Sequence, residues 1–159
     1  MDQFSFENNQ LKLKVSKTPV FVSLILIIIT FLCFALPIFG IVFNAVEGNG
    51  IKIGGILVFG VFCLIGFYLL RISLWISYGQ EIIKFNENEI IYIADYRWFK
   101  DGEKTLEKNE ITYSIKPVGY EEENNGILVI SNGKSEIESV VKIPKENLEK
   151  LISRIENGS

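Results

Sequence analysis

The sequence predicts a membrane α-hairpin of two transmembrane helices followed by an α+β soluble domain. Three observations carry this. No Asp, Glu, Lys or Arg occurs between Lys17 and Glu47, nor between Lys52 and Arg71. From Gln80 onward apolar residues recur at alternate positions between turn residues, the period of half-buried strands. The last turns of the chain then carry apolar residues at helical spacing.

Composition sharpens the division. The 159 residues are 48% hydrophobic and 22% charged, with a mean hydropathy of +0.29, and the apolar excess lies in the first half. Residues 1–79 hold five basic and three acidic side chains, residues 80–159 eleven basic and sixteen acidic. That asymmetry excludes a single soluble globule, a disordered chain and a nucleic-acid binder working through a basic face. The expected organisation is an N-terminal cytoplasmic segment over 1–17, a transmembrane hairpin over 18–78 and a cytoplasmic domain over 79–159.

Taken in order, Leu11, Leu13 and Val15 alternate with Lys12, Lys14 and Ser16, which predicts a strand able to complete the soluble sheet. Pro19–Phe43 is long enough to cross a hydrocarbon core of about 30 Å. Ser23 and Thr30 can bond back to the preceding turn, and Pro37 with Gly40 should loosen the outer third. A cleaved signal peptide is the competing reading, but the apolar run is too long and no A-x-A site follows it. Asn44–Gly50 forms a short turn. The second span runs from Ile53 through Tyr78, with Arg71, Trp75 and Tyr78 as interface anchors. Gly55, Cys63 and Gly66 loosely share one face, suited to close helix packing. Lys12, Lys14 and Lys17 flank one end of the hairpin, Arg71 and Lys84 the other, against Lys52 alone across the membrane. The positive-inside rule then puts both termini in the cytoplasm.

Six strands are expected in the soluble part. Glu81–Phe85 and Ile90–Ala94 join through Asn86–Asn88. Thr105–Lys108 is an edge candidate, Ile111–Lys116 alternates, and Ile127–Ile130 and Ile137–Ile143 flank Asn132-Gly133, a type I′ turn signal. Pro144 opens a C-terminal helix at its first turn. Leu148, Leu151, Ile152 and Ile155 make its apolar stripe, and Asn157-Gly158 ends it.

A sheet of six or seven antiparallel strands capped by one C-terminal helix resembles the pleckstrin-homology-like (PH-like) fold. Two spans ahead of it, with Leu11–Pro19 (LKLKVSKTP) leading in and Leu70–Ile83 (LRISLWISYGQEII) leading out, resemble bacterial membrane-anchored PH-like proteins. The resemblance implies a binding role at the membrane face. Phosphoinositide-binding members present cations around the first hairpin, whereas Phe85–Glu89 here offers only the neighbouring Lys84. Phosphoinositide binding is therefore not expected, and the acidic domain should be repelled by an anionic leaflet.

The candidate chemistry is thin. The chain has no His, hence no imidazole base or ligand. Cys33 and Cys63 fall in the spans, where free cysteine behaves as a small hydrophobe. Glu121–Glu123 with Asn124 and Asn125 reads as a solvated loop without EF-hand spacing. Asn157–Ser159 matches a glycosylation acceptor but falls on the expected cytoplasmic side. No P-loop, dinucleotide fingerprint or nucleophile elbow occurs. Arg97, Trp98, Phe99 and Lys100 form an aromatic and basic tip, either a contact for a partner or the interface, or a supply of core filling through Trp98 or Phe99. The expectation is a non-enzymatic interaction or scaffold module at the plasma (inner) membrane. It would touch the bilayer and a protein partner, with no cofactor, metal or nucleic acid. The alternative is an accessory subunit of a larger membrane complex.

Overall fold

A computed structural model describes residues 3–16, 18–48, 50, 52–119 and 124–157. The chain divides into two compact units, Lys17–Ser77 and a second formed by Met1–Ser16 together with Tyr78–Ser159.

The first unit is helical. α1 (Val20–Val46) and α2 (Ile53–Tyr78) have 27 and 26 residues, each about 40 Å at 1.5 Å per residue and so long enough to cross a bilayer. α1 ends three residues beyond the expected Phe43 and runs without a break through Pro37. Its Thr30 Oγ1 donates to Leu26 O at 2.7 Å, as Ser73 Oγ of α2 does to Leu69 O at 2.8 Å, so neither hydroxyl is left bare among apolar groups. Phe21, Phe39, Leu64 and Phe67 are exposed, an arrangement that water would penalise and lipid would not. The helices approach where side chains are small. A Cβ on Gly66 would lie 2.7 Å from Phe34 Cζ, and one on Gly55 would touch Ile41 at 3.6 Å. The Phe34 ring also meets Phe67 edge-on at 5.5 Å. Cys33 and Cys63 are free thiols.

The second unit is built from two antiparallel sheets and one helix. Its first sheet has the order β1-β2-β3-β4-β5, with β1 Phe4–Glu7, β2 Gln10–Lys14, β3 Gln80–Phe85, β4 Glu89–Asp95 and β5 Lys100–Glu107. The Leu11–Val15 segment thus does pair at the sheet, with Leu11 opposite Ile83 and Leu13 opposite Glu81. β1 was not anticipated. It turns into β2 through Asn8 and Asn9, both at positive φ (50° and 57°), the backbone of a type I′ turn. The second sheet has the order β6-β7-β8, with β6 Thr112–Pro117, β7 Asn125–Ser131 and β8 Glu136–Glu138, and β9 Ile143–Pro144 also pairs with β7.

Several expected elements are corrected. Among the described residues nine strands form rather than six or seven, two of them ahead of the helices. β5 starts at Lys100, not Thr105, because only Leu106 of its eight residues is buried and an edge strand needs no apolar alternation. Ile137–Ile143 is not one strand. Ser139 breaks it, donating its backbone N–H to Leu128 O at 2.8 Å and accepting Leu128 N–H on its hydroxyl at 2.9 Å. Pro144 belongs to β9, and α3 (Lys145–Asn157) begins one residue later. Asn132-Gly133 does turn the chain, but only Gly133 has positive φ (80°), and Asn132 Oδ1 accepts the N–H groups of Lys134 and Ser135 instead.

The core gathers Leu11, Leu13, Ile83, Ile90 and Leu106 from the first sheet with Leu128, Ile130 and Ile137 from the second, all at most 2% exposed. α3 adds Leu148, Leu151 and Ile155, three of the four residues of the expected stripe; Ile152 is half-buried. Gly126 admits the helix: a Cβ there would sit 2.6 Å from Ile115 Cγ2 and 3.2 Å from Leu148 Cδ1.

Candidate functional site

Strand register decides which loops meet. Lys14, Gln80, Asp95 and Lys100 stand opposite one another across β2, β3, β4 and β5. The loop 96–99 therefore lies at the end of the sheet where the chain leaves after β2 and returns before β3, and Val15 N donates to Gly79 O there at 3.1 Å. The Asn8-Asn9 and Asn86–Asn88 turns lie at the other end.

All four residues of the predicted tip occupy that loop or its edge. Asp95 organises it: Oδ1 accepts Arg97 N–H at 2.8 Å and Oδ2 accepts Gln80 Nε2 at 3.2 Å. Tyr96 N–H closes the loop onto Phe99 O at 2.9 Å, and the two rings stack at 4.6 Å and 13°. Arg97 takes a positive φ of 74°, a conformation that costs a non-glycine residue about 1–2 kcal/mol. Its guanidinium lies 4.6 Å above the Tyr78 ring, which offsets about 0.5–1 kcal/mol of that. Tyr78, Gln80, Asp95 and residues 97–100 enclose a shallow depression of about 370 Å³.

Neither Trp98 nor Phe99 fills the core, as one of the two readings had it. Trp98 is 71% exposed and Phe99 40%, while Tyr96, two residues from Trp98, takes the inward place at 7%. Of the anticipated interface anchors, Arg71 is exposed, Trp75 half-buried and Tyr78 exposed. Glu121–Glu123 and Gly158–Ser159 lie outside the described residues. Among the described residues no cluster of three or more His, Cys, Asp or Glu side chains is placed to hold a metal.

One polar centre was missed. Glu81 is fully buried on the core face of β3. Its Oε1 accepts Tyr92 Oη at 2.7 Å and Val140 N–H at 2.5 Å, and Oε2 accepts Val141 N–H at 3.3 Å. This carboxylate joins the first sheet to the segment following β8. Burial pushes its pKa above the ordinary carboxylate range, although its hydrogen bonds pull the other way. Tyr92 is pushed up too, first by burial and then by the neighbouring Glu81 charge. The signal was present in the sequence: Glu81, Ile83 and Phe85 share one parity of β3, so an inward Ile83 implies an inward Glu81.

No family model, curated protein or solved structure matches this chain.

Proposed function

We propose that the chain is a membrane-anchored, non-enzymatic module of PH-like architecture, akin to the bacterial membrane-anchored proteins it resembles. It holds a protein partner at the cytoplasmic face of the plasma (inner) membrane. Two antiparallel sheets closed by α3 support the architecture. Pairing of β2 with β3 supports the topology, since hydrogen-bonded neighbours require the chain to leave and return on one side of the bilayer. An even number of crossings follows, in keeping with two helices of spanning length.

The observation that carries the binding role is the position of β6. It pairs with β7 on one side, is an outer strand in the sheet order, and lies beside α3. Tyr113 and Ile115 of β6 and Ile152 of α3 are half-buried there. An extended peptide adds to such an edge through main-chain hydrogen bonds, with its side chains seated against the helix. A photocrosslinking residue at Ser114, compared with one at Glu87 in the far turn, tests this in intact membranes. Defined protein adducts at Ser114 and none at Glu87 are expected; equal labelling at both removes the basis of the reading.

A second reading, an accessory subunit held through its spans, draws on the helical unit. Leu36, Gly40, Ile41, Asn44, Gly55 and Phe62 line a cleft of about 390 Å³ there. Replacing both helices with an unrelated hairpin separates the two. Adducts at Ser114 persist under the first reading and vanish under the second.

A further inference from the structure

Outside the helical unit, the exposed large apolar side chains among the described residues are Tyr78, Trp98, Phe99 and Val140, at 48%, 71%, 40% and 60%. They are not scattered. Register places the 96–99 loop beside the points where the chain leaves and rejoins the sheet. Tyr78 is reached from Arg97 at 4.6 Å. Val140 is tied by its N–H to Glu81, the second residue of β3 at that same end.

The opposite end has the contrary character. Its turns carry Asn8, Asn9, Asn86, Glu87 and Asn88, and the strands meeting them end in Glu7, Glu89 and Glu107. The acidic excess expected to repel an anionic leaflet is thus weighted away from the end that bears Arg97 and Lys100. Asp95 and Asp101 are the acidic neighbours at this end, against the cations Lys14, Arg97 and Lys100. Asp95 accepts Arg97 N–H and Gln80, and Asp101 Oδ1 accepts Gly102 N–H at 2.7 Å.

We propose that this aromatic end of the β unit is a peripheral membrane contact. Trp98, Phe99 and Val140 rest in the interfacial layer of a lipid bilayer, and Arg97 and Lys100 meet lipid phosphates. Chain connection argues for lipid as the occupant, because Tyr78 is the last residue of a 26-residue apolar helix. So does chemistry: Trp and Tyr favour the interfacial layer, and cations near it meet headgroup charge. The left-handed Arg97 fits the same picture, since its backbone turns Trp98 outward while the guanidinium stays on Tyr78. The inference rests on α1 and α2 crossing the bilayer.

The chain has two tryptophans, so each can be isolated. The full chain carrying Trp75→Phe is reconstituted into phosphatidylcholine vesicles, and Trp98 emission is read with lipids brominated near the glycerol and with aqueous acrylamide. Bromolipid is expected to reduce the emission about twofold, and acrylamide to quench it several-fold less than a solvated tryptophan, as for an interfacial ring. The Trp98→Phe chain reports Trp75 as the reference for the spans. Trp75 quenched by bromolipid with Trp98 untouched overturns this proposal alone. Trp98 shielded from acrylamide yet insensitive to bromolipid also overturns it, and assigns the rim to a second copy or another protein. A chain that fails to float with the vesicles brings down the membrane reading and the proposal together.

Discussion

Replacing Glu81 by Ala removes the acceptor shared by Tyr92 Oη, Val140 N–H and Val141 N–H. Tyr92 and Val141 are 4% and 3% exposed, whereas Val140 is at the surface and water can replace its partner. Two stranded buried donors at about 1–3 kcal/mol each give a loss of about 4 kcal/mol. For a domain of this size that lowers Tm by about 15–30 °C. Glu81→Gln behaves differently. An amide oxygen in place of Oε1 keeps Tyr92 and Val140, and only the 3.3 Å bond to Val141 is lost. Its cost should stay within about 1.5 kcal/mol, because removing a buried charge offsets the missing bond. The pH dependence adds a second reading. The folded state holds the Glu81 proton to higher pH than the unfolded chain, in which Glu titrates near about 4.3. Stability therefore falls as pH rises from that value through the folded pKa, then levels off. Glu81→Gln abolishes that decline. Thermal unfolding of the full chain in detergent, followed by near-UV circular dichroism across pH 4–9, measures both effects. Equal losses for Ala and Gln, or an unchanged pH profile in the Gln variant, would refute the reasoning.

Three further outcomes are expected from the same unfolding assay. Leu11→Ala, at a fully buried site on β2, should cost about 2–5 kcal/mol, and a loss under about 1 would show that the N-terminal strands are dispensable. Gly126→Ala pushes a methyl against Ile115, Leu148 and the Lys116 carbonyl, and should cost about 1–3 kcal/mol. Arg97→Gly relieves the left-handed backbone while losing the contact with Tyr78, for a net change near zero. Arg97→Ala keeps the strain and should lose about 0.5–1 kcal/mol, so equal stabilities would contradict the assigned geometry.

The helices were the most legible part of the chain, because apolar runs of that length, interrupted by a charge only at Arg71, read as long helices with few alternatives. α3 was nearly as clear, since one stripe of four apolar residues has a single face to bury. β5 was obscured by its position at an edge: Lys100–Glu107 turns charges to solvent and carries little of the alternation that marks a strand. β8 and β9 read as one strand because Val140 and Val141 look like its middle. In the folded chain their N–H groups serve Glu81 rather than a neighbouring strand. Glu81 itself was hidden by residue type, since a glutamate in a short strand reads as solvent-facing until its parity with Ile83 and Phe85 is weighed. The Arg97–Lys100 tip was legible as composition but not as conformation. Nothing local shows that Tyr96, rather than Trp98 or Phe99, turns inward.

The helical hairpin interrupts the β unit between two adjacent strands of one sheet, β2 and β3. During synthesis the β1–β2 ribbon emerges well before its partner strand exists, with both apolar helices made in the interval. Until β3 arrives, Leu11 and Leu13 of that ribbon lack the neighbours that bury them. The first sheet can close only after both helices have been made, so a chain cut short within them leaves β2 without the strand that returns beside it.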